Sequence, residues 1–210
     1  IYMRLRDRFR DTILLESTDH HAAENSWSFI CVNAIAGIEM VDASTLEYKL
    51  PAQKPERLTI KNKKEVPTLL WDFMQRFELS YSSPLGGGWE GAARFAQGLY
   101  GYTTYDAVEF FEDVQISKTK VNGVGELRYR LYQYVIAINH HKDELFICEN
   151  LLKGIEGESS LLESLIRSKD VPAFPFAVKG EETSNATDEE YIEMVKKGIA
   201  SCLRGDVFQI

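Results

Sequence analysis

Residues 128–139 (Arg-Tyr-Arg-Leu-Tyr-Gln-Tyr-Val-Ile-Ala-Ile-Asn) and 144–148 (Glu-Leu-Phe-Ile-Cys) are two β-rich runs separated only by His140-His141-Lys142-Asp143. A four-residue polar connection cannot carry a crossover, so the two runs must return on each other as an antiparallel hairpin. The first half repeats the pattern. Residues 27–32, 36–41 and 46–50 alternate as strands, with Asp42-Ala43-Ser44 as a turn, so the chain opens as an antiparallel meander. Ahead of them Thr12-Ile13-Leu14-Leu15-Glu16-Ser17 reads as a strand ending in a carboxylate and a hydroxyl.

Helices flank these strands. Pro67 suits a first helical turn, and Leu69, Leu70, Phe73, Met74 and Phe77 make one apolar stripe that reads as core. Asp106 opens a short helix to Asp113, and residues 158–168 form another. Thr187 and Glu190 make a capping box, Tyr191, Met194, Val195, Ile199, Cys202 and Leu203 an apolar face, and Gly205 a stop. Residues 53–64 are a loop with one short edge strand at 58–60, and residues 99–105 a buried aromatic strand with one Gly. Residues 171–178, broken by Pro172 and Pro175, are an extended cover strand or linker. The expected class is α+β, with antiparallel, sandwich-like β-sheets and flanking helices.

At 210 residues and 44% hydrophobic composition the chain is read as one domain plus part of another, 1–183 and 184–210. It starts at Ile1 and stops at Asp206-Val207-Phe208-Gln209-Ile210, within what reads as a strand just begun, and is expected to be a fragment of a longer protein. With 24 Lys and Arg against 32 Asp and Glu, and no basic cluster, nucleic acid and membrane surfaces are excluded as expected partners. No apolar run approaches ~20 residues. Cys31, Cys148 and Cys202, odd in number and set among apolar residues, are expected as buried thiols in the cytoplasm.

Several motifs are discounted. Gly86, Gly88 and Gly91 satisfy G-x-G-x-x-G, but no strand precedes them and no βαβ unit surrounds them. His20-His21 and His140-His141 lie in polar turns with no carboxylate or Cys at ligand spacing, so exposed turn histidines are expected and no metal site. At the end of the first strand, Glu16 and Ser17 offer groups suited to the ammonium and carboxylate of a free amino acid; the competing reading is that Ser17 caps the next segment. Leu161-Leu162-Glu163-Ser164 repeats the tetrapeptide on a helical spacing, so the tetrapeptide alone decides nothing.

Taken in order, Leu14-Leu15-Glu16-Ser17, Trp27-Ser28-Phe29-Ile30, Gly101-Tyr102 through Tyr105-Asp106, and Ser184-Asn185 before a helix ending at Gly205-Asp206-Val207-Phe208-Gln209-Ile210 resemble component I of anthranilate synthase over residues 13 to 210. The resemblance implies that Leu15, Glu16 and Ser17 belong to a feedback site for L-tryptophan. A basic residue common in the family at or beside Trp27 is missing from Asn25-Ser26-Trp27-Ser28, which leaves the carboxylate's counter-charge unassigned. It further implies a parent enzyme that adds ammonia, supplied by a glutamine amidotransferase subunit, to Mg²⁺-bound chorismate and releases pyruvate and anthranilate. The Mg²⁺ ligands and catalytic histidine would lie beyond Ile210, so the fragment itself is expected to be inactive.

Gln209 is the one catalytic candidate. Water-using relatives that form isochorismate are similar but have a lysine base there, whereas neutral Gln suits ammonia, already a nucleophile when unprotonated. Two alternatives stand beside this reading: aminodeoxychorismate synthase component I of the folate pathway, with tryptophan as a structural element, and a non-catalytic module whose acidic surface docks a partner.

Overall fold

The structure, a computed structural model, describes residues 1–16, 26–78, 97–116, 123–171 and 174–209. Ser17, His20, His21 and the Gly86–Gly91 motif lie outside the described residues. Two strands organise the rest: β2 (Trp27–Met40) and a later strand, Leu127–Asn139, which pair antiparallel from Trp27↔Asn139 to Glu39↔Arg128. The alternation predicted two strands, at 27–32 and 36–41; they are one continuous strand. The chain passes from one to the other through an irregularity between Ala34 and Ala36, with Asn33 at φ 61°. Asn tolerates this left-handed geometry, and the extra residue bends the strand without ending its pairing.

Each long strand then serves two neighbours. β1 (Ile13–Glu16) pairs with the Trp27 end of β2, and β3 (Thr45–Lys49) with its Met40 end; β4 (Glu56–Thr59) extends β3. β5 (Tyr100–Thr103) pairs with the Leu127 end of β6, as Leu127–Asn139 is labelled, and β7 (Glu144–Glu149) with its Asn139 end. The expected hairpin is present, with Asp143 at φ 52° in its turn. The described sheet therefore runs β4-β3-β2-β6-β5 at one end and β1-β2-β6-β7 at the other. This is the α+β, antiparallel architecture expected, with the described strands gathered into one sheet.

Three apolar clusters hold it together. At the β3–β5 end Ile38, Met40, Leu46, Tyr48, Phe73, Phe110 and Leu127 pack under α2 (Val66–Met74) and a 3₁₀ segment, Tyr105–Phe110. At the other end one face packs Ile30, Val32, Tyr134 and Ile136 against Leu5 of α1 (Tyr2–Leu5) and Leu162 of α3 (Ser159–Arg167). The opposite face there gathers Cys31, Tyr132, Val135 and Cys148.

Several expectations need correction. Met74 is 42% exposed rather than core, because Phe73 takes the inward position and the helix stops at Met74, short of Phe77. The edge strand placed at 58–60 is Glu56–Thr59, and the helix placed at 106–113 is the 3₁₀ segment Tyr105–Phe110. β5 is half exposed and lies at the edge of the described strands, not buried among them. Its glycine marks a close backbone approach, since a Cβ on Gly101 would lie 1.8 Å from the Arg128 carbonyl oxygen. Gly101→Ala is expected to loosen β5 at a cost of about 1–3 kcal/mol. Faster amide exchange over residues 100–103 and a lower urea midpoint would register it; an unchanged protein would contradict this pairing.

By compactness the chain divides into Ile1–Pro172 and Ala173–Ile210. In the second unit α4 (Asp188–Arg204) has the expected capping box and a left-handed Gly205. No strand forms over residues 206–209, where one was expected, and Cys202 is exposed rather than buried, because α4 leaves that face uncovered in its own unit. Among the described residues no helix is long and apolar enough to cross a membrane.

Candidate functional site

The register of β1 on β2 decides where the sequence-selected residues point. Leu15 faces Phe29, and Ile13 faces Cys31, both pairs on the cysteine-bearing side of the sheet; Leu14 and Ile30 share the side covered by α1 and α3. Successive strand residues point to opposite faces. Leu15 and the exposed Glu16 therefore diverge, and a ligand lying against Leu15 meets Glu16 through its backbone rather than its carboxylate. Opposite Glu16, the buried Ser28 sets its Oγ 2.7 Å from Nε2 of His140. Gln209 lies in the second unit, exposed and in no regular element.

On the Leu15 side an aromatic ladder crosses the sheet. Trp27 stacks on Phe29 at 6.2 Å between centroids and on Phe146 at 6.3 Å; Phe29 lies 6.4 Å from Tyr100, which meets Tyr132 edge-on at 6.5 Å. Such offset and edge-to-face geometry leaves planar apolar faces for another ring. The strand read at 27–32 puts Trp27, Phe29 and Cys31 on one face, since alternate residues share a side. Alternation missed Phe146, Tyr100 and Tyr132, which join only through strand pairing. Burial pushes the phenols of Tyr100 and Tyr132 well above their usual range and the thiol of Cys31 up to about 12; Cys148 is shifted the same way. These groups are neutral at physiological pH, and the thiols are not nucleophiles. Cys31 and Cys148 flank Val135 on neighbouring strands, roughly 10 Å apart, too far for a disulfide.

A second polar feature was not singled out from sequence. Arg130, 3% exposed, donates from Nε to Asp11 Oδ2 (3.2 Å) and from Nη2 to Glu39 Oε2 (2.5 Å). Arg128 adds 2.8 Å to Asp11, and Lys49 binds Glu39 (3.0 Å) and Glu47 (3.2 Å), which also holds Arg57 (2.8 Å). Burial raises the carboxyl pKa of Asp11 and of Glu39, but the hydrogen bonds and charges of their cationic partners outweigh it, and both lie below the ordinary range. The available signal was Glu39 and Arg130 standing within otherwise apolar strands. Among the described residues no three His, Cys, Asp or Glu side chains form a metal-ligand group; His140 and His141 are exposed in their turn.

Comparison with known proteins adds three findings. A family model described as chorismate binding enzyme matches residues 30–210. Anthranilate synthase component 1 of Lactococcus lactis subsp. lactis (strain IL1403) is 20% identical over 220 residues, covering 100% of this chain and 44% of that protein. The crystal structure of anthranilate synthase component I from Streptococcus pneumoniae TIGR4 aligns with 98% of this chain and 43% of its own, at 17% identity and a TM-score of 0.48. The chain thus spans less than half the length of either relative.

Proposed function

The chain belongs to the chorismate binding enzyme family, and from that premise we propose that it is the N-terminal, feedback-regulatory part of an anthranilate synthase component I. The observation that supports such a parent is the family match across residues 30–210, joined by the named relative that the whole chain aligns with. The parent enzyme converts chorismate and ammonia, released from glutamine by an amidotransferase subunit, to anthranilate and pyruvate in the cytoplasm. Residues 1–183 serve regulation and 184–210 begin the chorismate domain. The exposed apolar side chains of α4, Tyr191, Met194, Ile199 and Leu203 among them, support that division, since an amphipathic helix of this kind needs a covering layer. Any Mg²⁺ is held by residues outside this chain. Gln209 faces the reacting ring, where a neutral amide orients ammonia without acting as its base.

L-Tryptophan is the proposed inhibitor. Its indole lies against Leu15 and the Phe29–Tyr100 ladder, and its head group is held by the Glu16 backbone and Ser17 Oγ. Inhibition follows if tryptophan binds the inactive arrangement more tightly. The test is the intact reading frame assayed by anthranilate fluorescence with chorismate, Mg²⁺ and ammonium. Activity inhibited by tryptophan is expected, with Ser17→Ala raising the inhibitory concentration roughly tenfold, the loss of one hydrogen bond to a charged group. Chorismate loss without fluorescence would replace this reading by aminodeoxychorismate synthase. Tryptophan-insensitive wild-type activity, or turnover by the 210-residue chain alone, would overturn the regulatory assignment.

A further inference from the structure

Away from the aromatic face, a cleft of about 580 Å³ opens in the first compact unit between the turn leading into β1, the irregular stretch of β2 and the turn after β3. Its apolar wall is Ile35, Leu50, Pro51, Pro55 and Ile155. Four non-glycine residues among those described have left-handed backbones, and three of them, Asp11 (φ 51°), Asn33 (φ 61°) and Ala52 (φ 55°), line this one cleft. Such conformations persist where the surroundings over-determine them, and they gather at ligand clamps.

The lining of the cleft carries more cations than carboxylates in an acidic protein. The chain carries a net charge of −8, yet the charged residues on the cleft's lining are Arg10, Lys49 and Arg130 against Asp11. Both oxygens of Asp11 are taken by Arg128 and Arg130, so the one carboxylate on the lining is neutralised and does not repel an anion. The buried Arg130 guanidinium is fixed from Nη1 to the Tyr129 carbonyl oxygen as well as to the carboxylates. Arg10 is different: exposed at the rim, its guanidinium has no ion-pair partner among the described residues, leaving its fork of donors available. Inside, Asn33 is oriented by donating from Nδ2 to Gln133 Oε1 (2.7 Å), which leaves its carbonyl oxygen as an acceptor.

We propose that this cleft is a ligand site for a small amphipathic monocarboxylate, whose charge is taken by Arg10 in the field of Arg130 and Lys49 and whose body lies on the Ile35–Leu50–Ile155 wall. An inorganic anion would leave that wall unused. The site opens away from the aromatic face but touches its cluster through two residues: Ala34 lines the cleft and packs on that cluster, and Tyr132, packed beside Leu15, donates its hydroxyl to the Asp11 carbonyl oxygen at 2.7 Å. The inference does not depend on the proposed function.

Benzoate is the probe, with benzamide as its uncharged isostere and inorganic phosphate as the wholly polar anion, each titrated into the ¹⁵N-labelled 210-residue chain. Saturable amide shifts with benzoate are expected at residues 10–11, 33–36 and 49–53, with neither control producing them. Arg10→Ala, a change at an exposed side chain, is expected to weaken benzoate binding about tenfold, the effect of one charge-assisted contact. The proposal is overturned if benzoate gives no saturable shift there, if benzamide or phosphate matches it, or if Arg10→Ala binds benzoate unchanged.

Discussion

Replacing Arg130 by methionine is expected to destabilise the first compact unit by about 3–5 kcal/mol, the cost of breaking a buried ion pair from one side. The stem of Arg130 is replaced by a side chain of comparable reach, so packing is largely kept. The loss is electrostatic: the partly buried Glu39 and Asp11 lose their one buried cationic partner and keep only the more exposed Lys49 and Arg128. Against a typical domain stability of about 5–15 kcal/mol this is a large fraction. Arg128, whose side chain is 41% exposed, makes the contrast, and Arg128→Met is expected to cost under about 1 kcal/mol. Urea denaturation of both variants checks the pair, and equal losses would mean that the buried guanidinium is not the pivot.

The same carboxylates set the sign of a pH effect. In the wild type Asp11 and Glu39 lie below their ordinary values, so their contribution is fully present above the unfolded carboxylate range, about pH 4, and is lost as pH falls through the lowered folded values. Without Arg130, Asp11 keeps Arg128 and Glu39 keeps Lys49, so both carboxyls are held less far below their ordinary values. The destabilisation caused by Arg130→Met should therefore shrink as pH falls below about 4; a penalty that grows on acidification would show that Arg130 does not lower these carboxyls.

Phe73→Ala is expected to cost about 3–5 kcal/mol, since the ring is fully buried and the cavity it leaves cannot collapse between a helix and a sheet. Phe73 stacks on Tyr48 at 5.7 Å and meets Phe77 edge-on at 5.3 Å, so its loss also uncouples α2 from β3. Two residues earlier on α2, Trp71 is 60% exposed, and Trp71→Ala is expected to stay within about 0.5 kcal/mol despite deleting a larger side chain. Thermal or urea unfolding distinguishes them. A comparable loss for Trp71 would place the helix in a different rotation on the sheet.

These positions also mark where reading the chain succeeded and failed. The hairpin at 128–139 and 144–148 was legible because a short polar connection between two β-rich runs admits only an antiparallel return. The helix at Asp188–Arg204 was legible because its capping box and terminal glycine are local chemistry. Met74 was misplaced because a stripe of apolar residues fixes a helix face only to within a residue, and the sheet beneath chose Phe73. For the candidate site, Leu15 and Glu16 were legible as a strand end. Their divergence onto opposite faces became visible only with the register on β2.

Local sequence alone settled what depends on neighbours along the chain: the strand periods, the hairpin, the caps and the antiparallel class. Tertiary pairing decided everything that depends on neighbours across the sheet. It carried β2 through Asn33 as one strand, brought Tyr100 and Phe146 to the face of Leu15, and closed Arg130 between Asp11 and Glu39. Alternation states that a residue faces inward or outward, but the charge or ring that meets it there comes from a strand about a hundred residues away, and only burial and pairing in the folded chain select it.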